Sequence, residues 1–209
     1  LRRTALLLPL VLLVAACAAP APRSVPVDER RAAYDERADT LAAWDRWTLT
    51  GRLGVDAGED GGSGRLDWDN EGAQRSLRFR GALGQGAWRL DIAPGDVRLQ
   101  RANGSVTRAT SVEELVLRET GWRLPVESLA WWVRGLATPD GPAPELLELN
   151  LDGTPALLDQ RGWRVAYTRY ENRQGVQLPT RLEAVRDEVR VKLAISRWRG
   201  ETPPEGGDG

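Results

Sequence analysis

The residues able to do chemistry in this 209-residue chain are few: a single cysteine, Cys17, and no histidine at all. The usual general base and the commonest metal ligand are therefore both missing, which excludes serine triads and histidine metal sites. Ser63 sits in Gly61-Gly62-Ser63-Gly64, which lacks the spacing of a nucleophile elbow and reads as a flexible hairpin tip. There is no glycine-rich phosphate loop. What remains for an enzyme is a paired-carboxylate mechanism, with Asp67 and Asp69 or Glu113 and Glu114 as the candidates. A solvated strand face and the first turn of a helix account for those pairs better. The expectation is a protein that is not an enzyme and has no metal and no cofactor.

Cys17 points elsewhere. Arg2 and Arg3 precede an apolar run of about ten residues, Ala5 to Val14, that ends in Val14-Ala15-Ala16-Cys17, the anatomy of a cleavable export signal. A bilayer-spanning helix needs about twenty apolar residues, so this run is too short for an anchor. The last four residues resemble a bacterial lipobox. That resemblance implies diacylation of the Cys17 thiol, cleavage before it and acylation of the new amino terminus; an ordinary secretory signal cut near Ala15 or Ala16 is the plainer alternative. Two or more acyl chains give stable attachment. The next residue is Ala18, not the aspartate that marks inner-membrane retention in many enteric lipoproteins, so the expected address is the outer membrane, lipid-anchored and facing the periplasm. On this reading residues 1–16 are signal, 17–27 a lipidated tether with Pro20, Pro22 and Pro26, 28–199 one folded domain, and 200–209 a flexible tail.

The chain carries 29 basic and 30 acidic residues, and loss of Arg2 and Arg3 with the signal makes it slightly more acidic. No concentrated basic stripe advertises a nucleic-acid partner. With Cys17 taken by lipid there is no disulfide, so burial alone must hold the fold.

The elements that position these residues read as follows. Asp28 to Trp44 has helical spacing, with Ala33, Arg37, Leu41 and Trp44 on one side. Trp47 to Val55 then alternates apolar and polar, as a strand with one buried face does. Glu59 to Gly64 reads as a turn. Arg65 to Asp69, Ser76 to Arg80, Ala87 to Ile92 and Val97 to Gln100 alternate again, with Pro94-Gly95-Asp96 turning between the last two, which gives an antiparallel meander. Ser111 with Glu114 forms a capping box before a helix to Thr120, and Pro125 at a first helical position opens a second that ends at Gly135. Strands resume at Leu146 to Leu151, Trp163 to Tyr170, Thr180 to Val185 and Val189 to Ser196. The fold class is mainly β (α+β): a single strongly curved antiparallel sheet of ten or so strands, apolar on one face only, which must close over something, and the helices between Ser111 and Gly135 are the available plug.

Three segments carry a family resemblance: Trp47-Thr48-Leu49-Thr50-Gly51-Arg52-Leu53-Gly54, the run from Leu124 to Gly135, and Trp163-Arg164-Val165-Ala166-Tyr167. In this order they resemble the outer-membrane lipoprotein receptor LolB family, over nearly the whole span from Trp44 to Trp198. The resemblance implies an incomplete antiparallel barrel whose concave apolar face is covered by helices, and a receptor that accepts acylated lipoproteins from a LolA-type periplasmic carrier and passes them into the outer membrane without nucleotide hydrolysis. It also implies a role for the Gly81 to Gly86 loop, where Leu83 is the one large apolar residue: a protruding loop in the family carries a leucine implicated in membrane delivery, and Leu83 matches it. The loop begins Gly-Ala where the enteric pattern has Asn-Pro. Read without the family, Leu83 folds back under the sheet.

The inward positions of the strands are Leu49, Leu53, Leu66, Trp68, Leu77, Phe79, Trp88, Leu90 and Leu99, with Trp132 on a helix. In a hollow barrel these ten would line an acyl cavity; in a filled one they are core. The pattern leaves both open. Arg52 either pairs with the helical cover or is a solvated strand residue. The expected protein is a monomer, and the alternative to a receptor is a structural outer-membrane adaptor with a filled core that docks on an envelope assembly machine.

Overall fold

The computed structural model describes residues 24–58, 60–82 and 86–200. Helix α1 (Val27–Ala42) leads into six strands, β1 (Arg46–Ala57), β2 (Asp60–Glu71), β3 (Gln74–Gly81), β4 (Trp88–Ala93), β5 (Asp96–Arg101) and β6 (Val106–Ala109). Helices α2 (Val112–Thr120) and α3 (Val126–Trp132) follow, then β7 (Leu146–Leu149), β8 (Pro155–Gln160), β9 (Trp163–Arg173), β10 (Val176–Arg186) and β11 (Val189–Gly200). All eleven strands form one antiparallel sheet in the order β6-β5-β4-β3-β2-β1-β11-β10-β9-β8-β7. The first and last strands pair through the long β1–β11 ladder, whereas β6 and β7, at the two ends of the order, are not paired with each other. The barrel is therefore incomplete, as the family resemblance implies.

Alternation is also what selects the face. Along β1 every second residue from Trp47 to Val55 is buried, and the buried sets of β3, β4 and β5 fall in register with it. The buried apolar cluster of the described residues runs from Leu41 to Trp198. Among the described residues no helix is long and apolar enough to cross a membrane.

Several elements differ from the sequence reading. Strands β6 and β8 were not anticipated, and Pro125 caps α3 instead of occupying its first turn. The Ser111 half of the capping box forms, its side chain accepting from the Glu114 amide at 3.3 Å. The largest correction concerns Gly61 to Gly64, which lie inside β2 and not at a hairpin tip; Ser63 pairs with Gly54. These glycines answer a need for close approach. A Cβ on Gly64 would lie 2.2 Å from the Arg80 carbonyl oxygen, and one on Gly62 would lie 2.9 Å from the Trp122 ring.

Candidate functional site

The ten inward residues meet. Leu49 stands opposite Trp68, Trp68 opposite Leu77, Leu77 opposite Leu90 and Leu90 opposite Leu99, a continuous apolar row across five strands. Leu66, Phe79 and Trp88 form a second row beside it. With Leu53 and Trp132 all ten belong to one buried cluster, and none is more than 7% exposed.

The helices cover this face. Helix α2 buries Val112, Leu115 and Val116, and α3 buries Val126, Leu129 and Trp132. Between them Trp122 enters edge-on against Phe79, with centroids 5.0 Å apart, while Phe79 stacks on Trp88 at 5.4 Å. Trp122 is a site residue the sequence reading missed. It lies in a connection with no periodicity, and its only trace was the run of glycines in β2 that makes room for its ring.

The cover is fastened by side chains, without a shared backbone ladder. Tyr167 Oη donates to the Trp132 carbonyl at 3.1 Å, and burial pushes that phenol's pKa well up. Arg134, buried just past α3, donates from Nη1 to the carbonyls of Leu41 and Trp44 and from Nε to that of Ala130. Burial lowers its pKa to about 10, so it stays a cation at neutral pH. Arg37 of α1 donates to the carbonyls of Arg134, Gly135 and Gln177, tying the end of the cover to β10. The indole N–H groups of Trp44, Trp47 and Trp68 are buried with no acceptor among the described residues.

One side of the cover is open. A cleft of about 910 Å³ runs between α2, the α2–α3 connection and the β10–β11 turn, with Leu117, Leu124, Pro125, Trp163 and Val189 on its walls. Its charged residues are Glu113, Glu114, Asp187 and Glu188 against Arg123 and Arg186. Pockets that take small apolar ligands have volumes of roughly 300–1,000 Å³.

The other candidates fall elsewhere. Cys17 and Leu83 lie outside the described residues. Arg52 faces away from the helices and donates to Ser63 Oγ at 3.0 Å. Asp67 and Asp69 lie on the same convex face in arginine ion pairs, and hydrogen bonds from Arg65, then from Thr50 and Arg80, lower the Asp67 pKa to about 2 against the opposing effect of its partial desolvation. Glu113 and Glu114 occupy the first turn of α2, where acidic residues suit the helix dipole.

A family model described as outer membrane lipoprotein LolB matches residues 45–198. An outer-membrane lipoprotein LolB of Pseudomonas fluorescens (strain Pf-5) is 40% identical over 162 residues, covering 77% of each chain. One from Stutzerimonas stutzeri is 38% identical over 191 residues, 91% of this chain and 92% of the relative. Among solved structures, a LolA-superfamily protein from Nitrosomonas europaea superposes with a TM-score of 0.51 at 12% identity, over 87% of this chain and 96% of the other. That last likeness concerns the fold alone.

Proposed function

Because the chain belongs to the LolB family of outer-membrane lipoproteins, we propose that it is the outer-membrane receptor that takes acylated lipoproteins from a LolA-type periplasmic carrier and inserts them into the membrane. It is anchored by lipid on Cys17, faces the periplasm and works as a monomer. It is a trafficking protein and not an enzyme.

The physical case rests on the acyl chains. Each methylene is worth about 0.8 kcal/mol in an apolar site, so the chains of one lipoprotein represent tens of kcal/mol that crossing water would expose. An apolar container is required. The observation that carries the reading is the two apolar rows of the concave face, roofed by helices that share no ladder with the sheet. The described form is closed: cargo enters at the Leu117–Leu124 cleft and displaces α2 and α3 from Phe79 and Trp88. The indoles of Trp47 and Trp68, which have no acceptor among the described residues, are donors for the ester and amide carbonyls of the lipid. Hand-off needs no nucleotide if affinity rises along the route, since about 1.4 kcal/mol biases an equilibrium tenfold.

A structural adaptor of the outer membrane is the second reading, favoured by the packed interior of the closed form. One experiment separates the two. A purified carrier loaded with an acylated lipoprotein is mixed, without nucleotide, with residues 24–209 and the species are separated after minutes. Cargo recovered on this domain establishes the receptor; cargo left on a demonstrably active carrier moves the assignment to the adaptor.

A further inference from the structure

The convex face, opposite the helices, carries a groove of about 550 Å³ lined by seven arginines and only two acidic residues, Asp67 and Asp69. The chain as a whole is close to neutral, so this excess is a local feature. Strand register builds it. Thr50 is flanked by Asp67 on β2 and Arg197 on β11, and Thr48 by Asp69 and Arg199. Arg65 and Arg80 share Asp67, and Arg78 takes Asp69. Arg197 and Arg199 are exposed and have no ion pair among the described residues. Two free guanidinium groups beside threonine hydroxyls suit phosphate oxygens, which the planar fork of arginine binds bidentately.

We propose that this convex face lies on the phosphate layer of an anionic phospholipid membrane, with Arg197 and Arg199 binding headgroup phosphates. The proposal rests on the assignment of the protein to the outer membrane. Two observations select that occupant. The charge is complementary, since basic side chains near an anionic lipid surface are attracted to it within a Debye length. The cleft on the helical side has the opposite balance, four acidic groups against two arginines. An anionic surface therefore attracts the convex face and repels the cleft, which leaves the cleft turned toward an arriving carrier.

The test is flotation of residues 24–209 with vesicles of phosphatidylethanolamine and phosphatidylglycerol, compared with phosphatidylcholine alone. The parent is expected to bind the anionic vesicles in a salt-sensitive way and the neutral ones at least about tenfold more weakly. R197E/R199E loses that binding by at least about tenfold, and R197K/R199K keeps most of it. If the glutamate pair does not show the parent's thermal transition, R197Q/R199Q takes its place. Equal binding to both vesicle types, no vesicle binding, or a reversal variant that still binds would overturn the proposal. So would a variant that loses the carrier while keeping the vesicles, since that places an acidic protein on this face. Cargo acceptance in solution, measured on the same proteins without vesicles, reports the receptor assignment separately: a parent that accepts cargo but ignores anionic vesicles refutes the membrane face alone.

Discussion

Arg134 Nη1 lies 2.6 Å from the carbonyl oxygen of Leu41, joining the end of the helical cover to the end of α1. The guanidinium sits 4.6 Å from the Trp131 ring centroid and takes its partners from backbone carbonyls, with no carboxylate partner among the described residues. Because the Arg134 carbonyl in turn accepts from Arg37, two arginines and three chain segments form one hydrogen-bonded unit. The cover is held at this corner and open at the cleft.

Arg134→Ala is expected to cost about 3 kcal/mol, because it leaves buried carbonyls without donors and a void beside Trp47 and Trp131. Urea unfolding measures this as a lower midpoint at unchanged slope. Arg134→Lys should recover only part of the loss, since one ammonium cannot reproduce the planar fork. A cost below about 1 kcal/mol for the alanine variant would mean that the carbonyls find other donors, and the corner would not be a fastening point.

Two glycines in adjacent strands make a matched pair. At Gly64 a Cβ would meet the Arg80 carbonyl at 2.2 Å and the Phe79 ring at 2.7 Å, whereas at Gly54 its nearest neighbours are at 3.9 and 4.0 Å. Gly64→Ala should therefore destabilise by roughly 2–3 kcal/mol through overpacking, and Gly54→Ala by less than about 1 kcal/mol or not at all. Similar midpoints for the two variants in one denaturation series would contradict the close approach of β2 and β3.

Acid stability should report on Asp67. Its folded pKa of about 2 lies below the ordinary 3.8, so between those values the unfolded chain binds more protons and stability rises with pH. The contribution is complete above about pH 4 and is lost as pH falls toward 2. Asp67→Asn should flatten that part of the acid limb and lower neutral-pH stability by roughly 1 kcal/mol, a modest figure because the arginine partners are solvated and screened. An acid limb unchanged between parent and variant would show that the ion pairs there contribute nothing.

The amino-acid pattern made the concave rows legible because a period of two and one buried face leave a plain trace in β1, β3, β4 and β5. It failed where local chemistry points one way and tertiary packing another. Gly61 to Gly64 carry every mark of a turn, yet the ring of Trp122 at Gly62 and the Arg80 carbonyl at Gly64 require bare backbone inside a strand. Strand β6 is too short to show a period, and β8 opens with Pro155 and sets Leu157 beside Leu158. Arg134 reads as a cation at a helix end; only the packed structure shows it buried against α1.

Leu83 gives the last prediction. It stands in the connection between β3 and β4, whose ends are tied by the Phe79–Trp88 pair, and the family resemblance assigns a leucine in this loop to membrane delivery. A single leucine contributes only about 2 kcal/mol on entering a bilayer, enough to bias where cargo is released but not to anchor the protein. Leu83→Glu replaces that gain with the cost of a carboxylate at the lipid surface. The variant is expected to accept cargo from the carrier as the parent does and to lose most incorporation into vesicles. Acceptance and incorporation are measured on one preparation, so a folding defect would lower both together. Equal incorporation by Leu83→Glu and parent would remove the loop from the delivery step and leave the convex arginines as the membrane contact.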